Sequence, residues 1–199
     1  MTGNDIVDLA TAAVESNWKR KGFLEKIFTP LEQKYIHEAV IPAQMVWKLW
    51  SMKESAYKMY IRQYGGRFFA PLQFNCTMLN GSEGMVNINQ VNYHTTSSIT
   101  KNYIYSIATA AKDNNILVLK SCFRLTEPDH NKQQEFIYKK LIGCYCKAAG
   151  IEKKVLSVIK DETGVPFLFC ETSRSKIPVS ITHHGNYAAF IISSGHLLP

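Results

Sequence analysis

Residues 50–58 read WSMKESAYK, a stretch that carries an acid and a base four positions apart, Glu54 and Lys58. The residues around it, from about 43 to 64, predict one long helix. Positions i and i+4 share a face of a helix, so the Glu54 carboxylate and the Lys58 ammonium can reach one point in space. A carboxylate that holds a divalent cation, beside an ammonium that holds phosphate, suits chemistry on a metal-bound pyrophosphate. The alternative is a solvated helix with an ordinary Glu–Lys pair.

A second acid, Asp5, lies in a short strand predicted over residues 5–9. Side chains alternate along a strand, so Asp5 and Val7 project from one face and Asp8 from the other. Asp5 and Glu54 together predict a Mg²⁺ site, because Mg²⁺ takes one or two protein carboxylates and fills its other positions with water and phosphate oxygens. For Asp5 the alternative is a capping or turn aspartate.

Basic and polar groups accompany this pair of acids. Lys53 and Lys58 are expected to stabilise negative charge on a pyrophosphate leaving group, unless they are simply solvated. Near the end of the chain, residues 182–185 read THHG in a predicted strand-to-turn corner. There the Thr182 hydroxyl and the His183 imidazole suit a phosphate contact, and the alternative is a turn whose histidines face water.

Bulk properties leave several partner classes open. The chain has 199 residues, a formal net charge of +7 and 46% hydrophobic residues, enough for one large or two small domains. Positive charge favours phosphorylated ligands, nucleic acid, anionic membranes or acidic proteins. The five cysteines lack zinc-finger spacing and are expected to be reduced and mostly buried. Without a signal-peptide pattern or an apolar run of membrane-spanning length, we expect a soluble cytoplasmic protein.

The order of helical and strand patterns predicts an α+β fold. Thr29-Pro30-Leu31-Glu32 is a typical helix start, with a capping threonine and a glutamate three positions on. The polar segment 112–115 is expected to mark a boundary between two parts. The first part is predicted to contain helices over 11–16, 29–39 and 43–64 and strands over 5–9, 72–79, 85–93 and 103–111. The second is predicted to contain a helix over 132–149 and strands over 116–124, 155–159, 165–169 and about 179–192.

Together these motifs resemble the 4′-phosphopantetheinyl transferase superfamily, which includes holo-acyl-carrier-protein synthases and surfactin-type enzymes. Residues 50–58 are similar to the signature W-x-x-K-E-[SA]-x-x-K, which is specific. The weaker matches extend over nearly the whole chain: GNDIV at 3–7, FTPLE at 28–32, GRFFAPL at 66–72, GVPF at 164–167 and SITHHG at 180–185.

The resemblance implies a pseudo-dimer of two similar α+β halves. Residues 1–111 are expected to form a catalytic half and residues 112–199 a half that grips coenzyme A. In surfactin-type members the elements of the second half come first, so the two halves are interpreted as circularly permuted, in a monomer. The alternative is a single-half enzyme with a long insertion, which needs a homotrimer to complete its site.

The implied reaction transfers the 4′-phosphopantetheine arm of coenzyme A to a serine of an acidic acyl or peptidyl carrier protein. Such carriers serve fatty acid or polyketide biosynthesis, and the second product is adenosine 3′,5′-bisphosphate. The resemblance implies Asp5 and Glu54 as ligands of Mg²⁺, with Mn²⁺ as an alternative ion, and Glu54, Lys58 and Asp5 as catalytic residues. The expected coenzyme A contacts are Lys53, Lys58, Lys139, Lys140, Thr182 and His183.

Two positions depart from the family pattern. Val7 stands where surfactin-type members have a third acid, and Val165 replaces the lysine of a G-K-P turn, which removes one expected phosphate contact. The cluster Lys19-Arg20-Lys21 is expected to dock the acidic carrier. The alternatives are a carrier-binding protein without catalysis and a nucleic-acid binding module, although no stripe of interleaved arginine and aromatic residues is evident.

Overall fold

The chain folds into two antiparallel sheets with helices packed on them. The computed structural model describes residues 1–66, 68, 70–110, 117–127 and 129–194. Within these residues the strands are β1 (Thr2–Asp8), β2 (Asn75–Met78), β3 (Glu83–Ile88), β4 (Val91–Ile99), β5 (Tyr103–Thr109), β6 (Leu117–Arg124), β7 (Leu156–Lys160), β8 (Pro166–Cys170), β9 (Ser175–His184) and β10 (Tyr187–Ser194). The helices are α1 (Leu9–Glu15), α2 (Phe23–Ile27), α3 (Pro30–Glu38), α4 (Pro42–Tyr64) and α5 (His130–Ala149).

The two sheets have the same strand order. The first runs β1-β5-β4-β3-β2 and the second β6-β10-β9-β8-β7. In each, the first strand pairs with the last of a four-stranded meander, and helices fill the connection between the first strand and the second. This confirms an α+β fold with two similar halves. The boundary predicted at 111/112 and the polar segment 112–115 lie outside the described residues.

Most predicted elements are present, and two predictions need correction. The single strand expected over 85–93 is wrong, because Asn89 and Gln90 both take positive φ and form a tight turn between Ile88 and Val91. Over 72–79, a short 3₁₀ turn at Pro71–Gln73 precedes β2. The five cysteines are free and buried or half-buried, as predicted. Within the described part of the chain, no helix combines the length and the apolar character needed to cross a membrane.

Strand β1 joins the two halves. One of its edges pairs with β5, and backbone amides on its other edge donate to side chains of β9. We call this contact between β1 and β9 the seam. The backbone amides of β1 donate along it from Asn4 N to Ser180 Oγ (3.3 Å), from Ile6 N to Thr182 Oγ1 (3.3 Å) and from Asp8 N to His184 Nδ1 (2.9 Å). Every second residue of one strand thus bonds every second residue of the other, which fixes their register.

Helix α4 lies directly against β1. A Cβ on Gly3 would stand 2.1 Å from the Ser55 carbonyl oxygen, so only glycine permits this approach. The apolar face of the helix, which includes Leu49, Met52 and Ala56, is fully buried in the core of the first half. The close approach brings the polar residues of the 50–58 stretch to the seam.

A buried ion pair anchors α4 to its neighbours. Lys53 Nζ lies 2.8 Å from Glu32 Oε2 and also donates to the carbonyls of Pro71 and Phe74. Glu32 is fully buried; it completes the predicted capping box with Thr29 and accepts from Cys76 N on β2. The pair therefore joins α3, α4 and β2. Both charged groups have hydrogen-bond partners in addition to each other.

Lys53→Met is expected to lower the free energy of unfolding by about 3–5 kcal/mol, because it leaves the Glu32 carboxylate buried without its cation. Urea unfolding measures this change. Lys34→Met is the control, since the Lys34–Glu38 pair is about two-thirds exposed and such pairs contribute about 1 kcal/mol or less. The double variant Glu32→Gln/Lys53→Met should recover part of the loss. A Lys53→Met protein as stable as the wild type would contradict the anchoring role.

Candidate active site

Asp5 and Lys58 meet at the seam, as the strand and helix spacings predict. Lys58 Nζ donates to Asp5 Oδ1 (3.2 Å) and to the Asn4 carbonyl (2.8 Å). Asp5 is buried, and its Oδ1 also accepts from Thr182 Oγ1 at 3.1 Å. Since the Thr182 hydroxyl accepts from Ile6 N and gives its one hydrogen to Asp5, it orients this carboxylate. The contact of Thr182 with coenzyme A stays a prediction, and in this geometry its hydrogen is already used.

Glu54 lies one helical turn before Lys58 and faces the same cleft. Burial, followed by the charge of Asp5, raises the pKa of Glu54 to about 7, and Lys58 partly opposes this. Among the described residues we find no hydrogen-bond donor to the Glu54 carboxylate. Glu54 lines a cleft of about 360 Å³ together with Asp5, Trp47, Trp50 and His183. The cleft thus holds two neighbouring carboxylates, and among the described residues only Asp5 of the two accepts hydrogen bonds.

These residues fit a divalent cation better than a closed metal centre. Burial and the neighbouring charge of Asp5 raise the pKa of Glu54. A cation bound between the two acids would offset the repulsion between them. In the described part of the chain no cluster of three or more His, Cys, Asp or Glu side chains has metal-binding geometry. Mg²⁺ accepts such a sparse set, because water and phosphate oxygens complete its shell.

Asp8 has a different task. Its carboxylate caps α1 by accepting from the amides of Ala10 and Thr11, and it accepts from Asn186 N across the seam at 2.9 Å. Burial raises its pKa, yet these hydrogen bonds together bring the value below the ordinary one. The Asp8 carboxylate therefore accepts hydrogen bonds that stabilise the fold. Val7, on the same face of β1 as Asp5, lines the cleft and carries no charge.

His183 links the cleft to a second cavity. This cavity, of about 220 Å³, is lined by His130, Gln133 and Tyr138 of α5, by Lys160 and by Gly164 of the β7–β8 turn. The His130 and His183 rings lie 5.3 Å apart. Burial, then the charges of His130, Lys58 and His184, lower the pKa of His183. The sequence pattern singled out His183, whereas His130 had no signal beyond its place at the start of α5.

The three other lysines that are predicted to bind coenzyme A make contacts with other side chains or with the backbone. The Lys53 ammonium is 3% exposed, and its three donors are taken by Glu32 and two carbonyls. Lys139 pairs with Glu135 on the exposed face of α5, and Lys140 lies over the rings of Phe123 and Phe136. Their contacts with coenzyme A stay predictions: Lys53 lines a cavity beside Glu54 but its ammonium is already bonded, and α5 reaches the second cavity with side chains other than Lys139 and Lys140.

Glu54→Gln is expected to remove a pH dependence from the metal-free protein. The Glu54 pKa is raised in the folded state, so the stability linked to its proton is present below about pH 4.5 and is lost as the pH rises through about 7. Between pH 4 and pH 8 the free energy of unfolding of the variant should therefore rise by about 3 kcal/mol relative to that of the wild type. Urea unfolding in EDTA across this range measures the difference.

Glu38→Gln, in an exposed pair, is the matched control for this experiment and should follow the wild type. Glu54→Gln and wild-type curves that stay parallel from pH 4 to pH 8 would contradict the raised pKa.

A comparison with models of known protein families gives a match. The model of the 4′-phosphopantetheinyl transferase superfamily matches residues 1–110, more than half of the 199-residue chain, and this region includes Asp5, Glu54 and Lys58. A search of curated proteins found none that matches. The chain therefore belongs to the 4′-phosphopantetheinyl transferase superfamily, whose members transfer phosphopantetheine from coenzyme A to carrier proteins.

Proposed function

We propose that this protein transfers the 4′-phosphopantetheine arm of coenzyme A to a serine of an acyl or peptidyl carrier protein, with Mg²⁺, and releases adenosine 3′,5′-bisphosphate. The observation that carries the proposal is the convergence at the seam of Asp5 and Lys58 with Glu54, an acid to which no described residue donates a hydrogen bond. Neither half of the chain forms this site alone, because Thr182 and His183 come from the second half. Action as a monomer and a cytoplasmic location stay predictions.

Asp5 and Glu54 would hold the Mg²⁺ ion. When bound, the ion neutralises pyrophosphate charge and fixes the two phosphates for in-line attack. Thr182 and Lys58 both donate to Asp5 Oδ1 and keep this carboxylate in place at the wall of the cleft. The two acids thus provide the one or two carboxylates that this ion takes.

The chain's own groups handle the proton and the leaving group. The carrier serine Oγ attacks the phosphorus that bears pantetheine, and the bond from that phosphorus to the bridging oxygen breaks. Glu54, which lines the cleft beside Asp5, accepts the serine proton. Lys58 stabilises the charge that develops on adenosine 3′,5′-bisphosphate.

Two cavities offer places for the ends of coenzyme A. An aromatic cavity of about 430 Å³, lined by Tyr57, Phe68 and Phe74, opens beside Glu54, and we place the largely apolar pantetheine arm there. The adenosine would lie in the cavity between His183 and His130, which shares Gly164, Pro166 and Ile181 with the cavity beside Lys58. Both placements put the scissile pyrophosphate next to the acids.

The carrier would approach from the side of α1 and α2. Lys19 and Arg20 lie over the rings of Trp18 and Phe23, and Phe23 lines the cleft that contains Glu54. A basic rim at the mouth of the cleft attracts an acidic protein and brings its serine to Glu54.

Mass spectrometry of an apo carrier protein incubated with coenzyme A, Mg²⁺ and this protein tests the proposal. The carrier should gain one phosphopantetheine arm, and Glu54→Ala should abolish the gain because base and metal ligand are both lost. Glu38→Ala, an exposed acid outside the cleft, is the control and should retain transfer. No gain with fatty acid, polyketide and peptide carriers alike would refute the proposed activity.

Reversing the charge of Lys19 and Arg20 together is expected to raise KM for the carrier about tenfold with little change in kcat, because these residues lie outside the chemistry. Steady-state kinetics at two salt concentrations measures the effect, which should shrink at high salt. The double variant Lys139→Glu/Lys147→Glu, at exposed positions of α5, changes the total charge by the same amount and is the control. An equal loss in both proteins would place the docking surface elsewhere.

A further inference from the structure

Arg62 lies one turn beyond Lys58 on α4, and its guanidinium reaches across to the second half. Nη2 donates a hydrogen bond to the Val179 carbonyl on β9. Lys58 and Arg62 line a cavity of about 260 Å³, and its opposite wall contains Gly164, Pro166 and Ser180. The helix that carries Glu54 therefore contributes a second cation to the contact between the halves.

In the described part of the protein no carboxylate lies within 4 Å of the Arg62 guanidinium, so Arg62 forms no close ion pair there. Asp161 acts on it electrostatically, but Asp161 Oδ1 accepts hydrogen bonds within its own turn, including that of Val165 N. Burial lowers the pKa of Arg62 to about 10, which reflects the cost of keeping its charge from water. Lys58, four residues earlier, adds a like charge on the same face. Such a cavity favours an anion.

We infer that Arg62 binds the 3′-phosphate of coenzyme A. This inference rests on the proposed function, in which Asp5, Glu54 and Lys58 already hold the pyrophosphate. Arg62 lies about 6 Å further along the helix, at 1.5 Å per residue, so it faces a different phosphate. Coenzyme A carries a separate phosphate on its ribose 3′ oxygen, and a guanidinium fork binds such a group through two parallel hydrogen bonds.

The wall opposite Arg62 strengthens this assignment. Val165, which stands where the related turn carries a lysine, lines the same cavity as Arg62. A cation placed at 165 would face the same space from the other side. Arg62 thus supplies from α4 a charge that the β7–β8 turn of this chain lacks.

Isothermal titration calorimetry with coenzyme A and with 3′-dephospho-coenzyme A, in the presence of Mg²⁺, tests the inference. The wild type should bind coenzyme A more tightly than the dephospho form. Arg62→Gln should weaken coenzyme A binding about 10- to 100-fold, the range expected for a lost charge-assisted contact, and leave the dephospho form within about twofold. Adding Val165→Lys to Arg62→Gln should restore much of the preference for the 3′-phosphate.

Equal losses for both ligands, an unchanged Arg62→Gln protein, or a wild type that binds both ligands alike would overturn the inference. Arg62 also donates a hydrogen bond to Val179, so its replacement can destabilise the fold. Thermal unfolding without ligand distinguishes this loss of stability from a loss of ligand binding. If Arg62→Gln folds poorly, Arg62→Lys decides the matter: it keeps the charge and should retain part of the preference. Transfer to an apo carrier by the wild type is measured in parallel. If the wild type transfers phosphopantetheine but the comparison of the two ligands fails, only the role of Arg62 is rejected. If the wild type neither transfers phosphopantetheine nor binds coenzyme A, the proposed function itself is rejected.

Discussion

The site depends on how the open edge of β1 is satisfied. A strand edge exposes backbone amides that must find acceptors when they are buried. Here the acceptors are side chains on alternate residues of β9, and this two-residue spacing leaves one register between the halves. Because Thr182 occupies the central position, its hydroxyl reaches Asp5 and the histidine after it faces the cleft. The same contact that joins the halves therefore orients Asp5, the acid that we propose as a metal ligand.

Local sequence patterns predicted most of the fold. Helix caps depend on residues that are close in sequence, so the ends of these helices could be predicted within a few positions. Examples are the capping box of Thr29 and Glu32 and the C-terminal glycines Gly65 and Gly150. The turn at Asn89-Gln90 was missed because neither residue is glycine, although both take positive φ. The identical strand order of the two halves follows from long-range pairing, which no local pattern contains; the resemblance to a known family supplied that expectation.

The site was predictable where spacing along one element decides it. Glu54 and Lys58 share a helix face, and both reach the seam. Lys53 is adjacent to Glu54 in sequence but lies about 100° around the helix, so it points to Glu32 in the core. No signal in the chain marked Arg62 or His130, because their partners, Val179 and His183, lie more than fifty residues away.

Helix α4 explains why one segment serves both stability and chemistry. One face buries Lys53 with Glu32 and fixes the rotation of the helix, and a neighbouring face presents Glu54, Lys58 and Arg62 at successive turns. The order of charge along that face is an acid followed by two cations. An acid suits a metal-bound pyrophosphate, and cations further along suit phosphate groups without a metal. Because Lys53 precedes Glu54 directly, the buried pair that anchors the helix also helps to fix the position from which Glu54, Lys58 and Arg62 project.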